Sequence, residues 1–230
     1  MELIFDIGYN HGQFTQECFR LYPKTQVVAV EANPQLCGVT NTDNFVLINR
    51  VVSDVNDSEL DFYVEHQADG ISTASKNFMD NSRFSKGSKY ITGTTFHKWS
   101  EPIKVPSITL DALIEHYGVP DLIKVDVEGY EYTVLKGLTK KAKDICFEWH
   151  EEFYDDILKI VDHLKNIGYS KFGAVGYFDD KDLTFDTVTY SEKGDPYMVY
   201  PENFYSWEEL NFERFVQPDR RVNFGMFFAV

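Results

Sequence analysis

Cysteine is scarce in this chain of 230 residues, which has only Cys18, Cys37 and Cys146, an odd number with no CxxC spacing. That excludes a disulfide framework or a cysteine-based zinc site, and the three read as small buried apolar residues in a reducing compartment. Long apolar runs are also missing. No stretch approaches the roughly 20 apolar residues that span a bilayer. Met1-Glu2-Leu3-Ile4-Phe5 enters an apolar strand with no basic region or cleavage site before it, so a cytoplasmic protein without a membrane span is expected. The third deficit is positive charge: 22 Lys and Arg face 37 Asp and Glu, a net charge of −15. Phosphate backbones are bound chiefly by Lys and Arg, so nucleic acid is not expected as a partner. Only residues 66–102 run the other way, with five basic residues against three acidic ones; they could meet an anionic group on a substrate.

What remains is a chain with 43% hydrophobic residues, enough for a core and suited to one α/β domain over residues 1–230. Its most informative stretch is Phe5-Asp6-Ile7-Gly8-Tyr9-Asn10-His11-Gly12, an apolar strand running into an acid and two glycines. Gly8 and Gly12 allow a tight turn and close approach of backbone to a ligand, with the following helix pointing its first turn at it. The next apolar run, Val27-Val28-Ala29-Val30, ends in Glu31, about 20 residues on, where an acid can bond the hydroxyls of a ribose. The spacing GxxxG lacks the GxGxxG that seats a dinucleotide's pyrophosphate on a helix N-terminus. Asp6 would repel a pyrophosphate and could pair with an ammonium or a sulfonium-bearing amino acid. This favours S-adenosylmethionine over NAD.

A second segment, Asp121-Leu122-Ile123-Lys124-Val125-Asp126-Val127-Glu128-Gly129-Tyr130-Glu131, is a strand ending in alternating acids with a glycine release into a helix. Together with the glycine turn, Glu31-Ala32-Asn33-Pro34, Ser53-Asp54, Ile108-Thr109-Leu110-Asp111, Val134-Leu135-x-Gly137 and Phe147-Glu148, it resembles the FkbM family of S-adenosylmethionine-dependent methyltransferases. The landmarks follow the family's order across roughly 150 residues, a linked set far more specific than one short motif. Tyr9, Ala32 and Tyr130 depart from the family's usual residues and alter bulk or freedom near the pocket. The resemblance implies a Rossmann-like class I methyltransferase fold. It also implies a cofactor site drawn from Asp6, Gly8, Asn10, His11, Gly12, Glu31, Ala32, Asn33, Ser53, Asp54, Asp126 and Glu128, and an acceptor that is a small molecule or glycan bearing a hydroxyl.

Periodicity predicts strands at 3–7, 27–31, 45–50, 60–64, 103–108, 121–126 and 144–149, and helices at 12–21, 34–41, 110–117, 130–138 and 152–167. Such alternation implies a mainly parallel, seven-stranded twisted sheet with helices on both faces. The runs 172–177 and 222–230 would complete it as an antiparallel C-terminal edge. Residues 66–102 read as a polar insert unlike a packed helix or strand, a candidate lid. The aromatic-rich stretch within 178–221 reads as a cap over the sheet edge, or less commonly as a wall for an acceptor.

Methyl transfer needs alignment and the removal of one proton, not a protein nucleophile. Period-two alternation in Ile145-Cys146-Phe147-Glu148-Trp149-His150 puts Glu148 and His150 on one face near the ligand edge. His150 is the first choice for a base, with Glu148 and Asp126 as alternatives. The carboxylates could instead hold a hard cation, but no metal is expected without a ligand motif. His11, inside the glycine turn, is expected to pack near the cofactor. Two other readings stand beside this one. An NAD-linked or nucleotide-sugar oxidoreductase would use Tyr132-x-x-x-Lys136, and a non-catalytic nucleotide-binding module would keep the pocket for recognition alone.

Overall fold

The computed structural model describes residues 1–85, 97–177, 188–190, 200–215 and 224–230. Its main sheet runs in the order β3-β2-β1-β7-β8-β11-β9-β10. These are β1 (Leu3–Ile7), β2 (Gln26–Glu31), β3 (Phe45–Asn49), β7 (Leu122–Val125), β8 (Asp144–His150), β9 (Phe172–Tyr177), the short β10 (Val188–Tyr190) and β11 (Phe224–Ala229). The first five pair in parallel, and β11 runs antiparallel to both β8 and β9. This is the predicted mainly parallel sheet of seven strands with its antiparallel edge. The three residues of β10 add an eighth strand, in parallel with β9.

Alternation decides which side chain meets which layer. Ile4, Val27 and Ala29 face α1 (Gln13–Leu21), packing with its Phe14 and Cys18. Phe5, Ile7, Val28 and Val30 face the opposite layer, which holds α3 (Leu110–Tyr117), α4 (Glu131–Lys136) and α5 (Tyr154–Asn166). Strands buried on both faces read as continuous apolar runs, which is why the central strands were legible. Thr109 caps α3, its hydroxyl accepting from the Ala112 amide at 3.1 Å, and Gly118 closes it at φ 95°.

Three local expectations change. The helix predicted at 34–41 is only a 3₁₀ turn, Pro34–Leu36, capped by Asn33. The following Cys37-Gly38-Val39-Thr40 combines glycine with β-branched residues, which do not sustain a helix. The strands expected at 60–64 and 103–108 leave the main sheet. As β5 (Glu59–Phe62) and β6 (Ile103–Ile108) they join β4 (Val51–Val52) in a separate three-stranded sheet with its own core of Val51, Phe62, Val64 and Val105. The insert is packed where it is described: α2 (Lys76–Asn81) buries Phe78 completely, while 86–96 lie outside the described residues. At the C-terminal end Phe212 packs on Trp149 at 5.0 Å and Trp207 on Phe227 at 6.0 Å. These rings cap the sheet; Tyr197 lies outside the described residues. Among the described residues no helix is long and apolar enough to cross a membrane.

Candidate functional site

The strand order reverses between β1, whose successors β2 and β3 lie to one side, and β7, which opens the other. Ligands in doubly wound sheets sit outside the strand carboxyl ends at such a point. A cavity of ≈ 430 Å³ is found there, within the size range of small-molecule sites. Its floor is the turn after β1. Gly8 sits at φ 82°, and a Cβ there would lie 1.8 Å from the Asp126 carbonyl oxygen, so only glycine lets the β1 and β7 loops touch. The Asp126 amide donates to the Ile7 carbonyl at 3.0 Å, locking the same contact.

Glu31 closes the β2 side and is 7% exposed. One carboxylate oxygen accepts from the Asn10 amide at 2.8 Å, the other from the Asn33 amide at 2.7 Å. Burial pushes its pKa up and these two amides pull against that. Each oxygen keeps a lone pair free for a further hydroxyl donor. The opposite wall is Asp126, Val127 and Glu128, with Glu128 at φ 55°, a conformation few residues other than glycine adopt.

The expected cofactor residues separate into two groups. Gly8, Asn10, Glu31, Ala32, Asp126 and Glu128 line the cavity. Asp6, His11, Gly12, Asn33, Ser53 and Asp54 stand behind or beside it. Asp6 is fully buried. Its oxygens accept from Thr15 Oγ1 at 2.7 Å and from Lys124 Nζ at 3.2 Å, so the direct ligand contact expected of it gives way to an internal ion pair. Lys124 also donates to the Gly8 carbonyl at 2.7 Å and lies 3.7 Å from Asp126. Burial alone would lower the Lys124 pKa, but Asp6 and Asp126 more than offset it and hold the ammonium charged. The lysine therefore fastens the glycine turn to the loop after β7. His11 is outside the lining but meets a wall residue, Asp69, at 2.9 Å. Asp54 pairs with Lys136, and the Ser53 hydroxyl lies 3.4 Å from Tyr130 Oη. Gly12 packs under the Tyr9 ring.

Sequence reasoning missed several wall residues. Asp69 to Ser72 and Ala74, from the insert, cover one side of the cavity, and Val51 and Phe62 from the small sheet cover another. Lys124, Tyr9 and Tyr130 complete it. Tyr9 and Tyr130 carried a signal as bulky residues in otherwise matching motifs, Lys124 stood inside one of those motifs, and the insert was marked only as a whole, as a candidate lid.

Behind the Glu128 wall lies the expected carboxylate and imidazole pair. His150 Nε2 is 2.9 Å from Glu148 and 3.7 Å from Glu128. Its ring is 5% exposed, covered by Phe78, Phe153 and Phe224, and Nδ1 has no hydrogen-bond partner among the described residues. Neither His150 nor Glu148 reaches the cavity wall; Glu128 does. The Glu148 pKa is pushed well up by burial and by the charges of Asp126 and Glu131, and it shares a hydrogen bond with Asp126. Burial and the charges of Glu148, Asp126 and Glu131 raise Glu128, with His150 opposing. Glu131 turns back to accept from the Val127 and Gly129 amides at 3.0 and 3.2 Å, holding the loop that presents Glu128. Two sets, Glu128 with Glu148 and His150, and Asp126 with Glu131 and Glu148, bring ligand atoms within 4.8 Å of one another. Tyr132 and Lys136, the pair an oxidoreductase would need, do not face the cavity; Lys136 is engaged with Asp54.

Residues 6–171 match the family model described as the Methyltransferase FkbM domain. No curated protein matches the chain. Two solved structures align with all of it. One is the precorrin-6y C5,15-methyltransferase from Geobacter metallireducens GS-15, at 13% identity over 79% of that chain with a TM-score of 0.44. The other is a putative methyltransferase from Thermoplasma acidophilum, at 11% identity over 67% of that chain with a TM-score of 0.40.

Proposed function

Since the chain belongs to the FkbM methyltransferase family, we propose that it is an S-adenosylmethionine-dependent O-methyltransferase acting on a hydroxyl of a sugar or glycan. The observation that carries this reading is Glu31, a buried carboxylate at the end of β2, clamped by two backbone amides and turned into a cavity of fitting size. That is an acceptor pair suited to a ribose diol. S-adenosylmethionine supplies, when bound, a methyl group on a sulfonium that is open to in-line displacement.

The chain's own contribution is alignment and proton handling. Glu31 and the Gly8 turn would hold the nucleoside end, while Asp126 and Glu128 face the rest of the cavity. A hydroxyl that attacks carbon must lose its proton, and the group placed to take it is Glu128. Burial and the charges of Glu148 and Asp126 raise its pKa, so it holds a proton more tightly than an ordinary glutamate does. His150 Nε2 lies 3.7 Å from Glu128 and 2.9 Å from Glu148, so one imidazole nitrogen faces both carboxylates and positions them. The base role first given to His150 thus moves to Glu128, and His150 becomes a positioning residue. A glycan acceptor is favoured over nucleic acid by the net charge of −15.

The test is transfer of a labelled methyl group from S-adenosylmethionine to neutral sugar acceptors, followed by mapping of the modified atom. Label on oxygen, lost in Glu128→Gln, supports the reading. Label on carbon or nitrogen contradicts it.

A further inference from the structure

A second depression of ≈ 460 Å³ lies outside the cofactor cavity and shares two residues with it, Ala74 and Tyr130. Tyr63, Tyr130 and Tyr132 all contribute to its lining. Its polar lining comes from the N-terminal turn of α2, at Ser75 to Asn77, and from Thr133 and Asp156 on the far side. Apart from Ala74 and Tyr130, none of these residues lines the cofactor cavity.

We infer that this depression is a binding subsite for a neutral pyranose ring of the acceptor, one unit away from the ring that is methylated. This rests on the reading of the acceptor as a glycan, and its location comes from the lining. Tyr130 and Tyr132 offer flat apolar faces with hydroxyl tips, the combination that meets a ring with C–H bonds on its faces and hydroxyls on its rim, while Tyr63 itself is buried. The two carboxylates of the lining are already paired. Asp61 pairs with Lys104 and Asp156 with Lys159, each at 2.6 Å. Lys76 lies 5.9 Å from the Tyr63 ring centre, and Lys136 and Lys159 stand 5.8 and 5.6 Å from that of Tyr132. Lys136 and Lys159 stay held by Asp54 and Asp156, while Lys76 can swing on its flexible stem and donate to hydroxyls. Paired carboxylates beside abundant donors and acceptors suit a polar neutral ligand.

Tyr130 explains why the occupant is not the reacting ring. Its side chain stands between the two spaces and its hydroxyl lies 3.4 Å from Ser53 Oγ, which fixes it as a partition. A glycan of at least two units could reach both sides by passing the rim. A single free sugar would lack the second anchor, so the site assigns the enzyme to oligosaccharide or glycoconjugate acceptors.

A printed array of neutral and anionic glycans, probed with the full chain in the presence of S-adenosylhomocysteine, tests this. Capture of neutral glycans of two or more units is expected. Tyr132→Ala and Asp156→Asn should each cut that capture about tenfold, while Tyr132→Phe, which keeps the ring face, should retain most of it. Affinity for S-adenosylhomocysteine should be unchanged in all three, since none of these side chains lines its cavity. Capture of anionic glycans alone, no capture at all, or capture unchanged in both Tyr132→Ala and Asp156→Asn would overturn the assignment. Glycan capture by a chain that fails to bind S-adenosylhomocysteine would leave this subsite standing and remove the methyltransfer reading instead.

Discussion

Replacing Lys124 by methionine removes the one ammonium that ties the glycine turn to the loop after β7. The lysine is 3% exposed and its partner Asp6 is fully buried. Methionine keeps nearly the same length and apolar stem, so the change isolates the charge. Asp6 would keep only the Thr15 hydroxyl, the Gly8 carbonyl would lose its 2.7 Å donor, and Asp126 would face no cation at 3.7 Å. Breaking a buried pair by removing one partner costs about 3–5 kcal/mol, because the remaining charge is left in a poorly solvating interior. For a chain of this size that corresponds to a fall in Tm of roughly 6–20 °C. Urea unfolding read by circular dichroism gives the free energy directly. The double variant Asp6→Asn with Lys124→Met should recover on the order of 1–3 kcal/mol of the loss, since the stranded carboxylate is gone. A Lys124→Met protein within about 1 kcal/mol of the wild type, or a double variant no better than the single one, would refute a clamp built on this ion pair.

Glu128→Gln should lower turnover roughly 10²–10⁴-fold with affinity for S-adenosylhomocysteine retained. His150→Ala should lower turnover less and shift the acid limb of the wild-type rate profile; equal losses in both would return the base role to the imidazole. Because burial raises the Glu148 pKa above its ordinary 4.5, the folded state holds a proton that the unfolded chain has released. Stability should therefore fall as pH rises from about 4.5 towards the raised value, and Glu148→Gln should flatten that slope in a series of Tm measurements. Chelation with EDTA should leave turnover unchanged if the carboxylates handle protons. A loss restored by a divalent cation would instead make Glu128, Glu148 and His150 metal ligands.

The sheet was legible because its central strands are apolar on both faces and its turns carry Gly8 and Gly129. Glu148 and His150 fall on one face from period two alone, and they meet at 2.9 Å. The contacts that escaped are between residues far apart in the chain. The partner of Asp6 is Lys124, 118 residues on, and nothing local distinguishes a buried paired acid from one facing a ligand. Helix α2 packs because a Cβ on Gly129 would fall within 3 Å of Phe78, a fit that the polar composition of the insert conceals. The small sheet depends on β6 choosing β4 and β5 as partners, and strand pairing across 41 to 56 residues leaves no mark in a single sequence.

Parallel calorimetric titrations with S-adenosylhomocysteine and with NAD, on the wild type and on Glu31→Ala, test the central claim most directly. The wild type is expected to bind S-adenosylhomocysteine and not NAD. Glu31→Ala should weaken binding by about 1.5–3 kcal/mol, the worth of hydrogen bonds to a charged group. Binding of NAD alone, or a Glu31→Ala protein with unchanged affinity for S-adenosylhomocysteine, would contradict it.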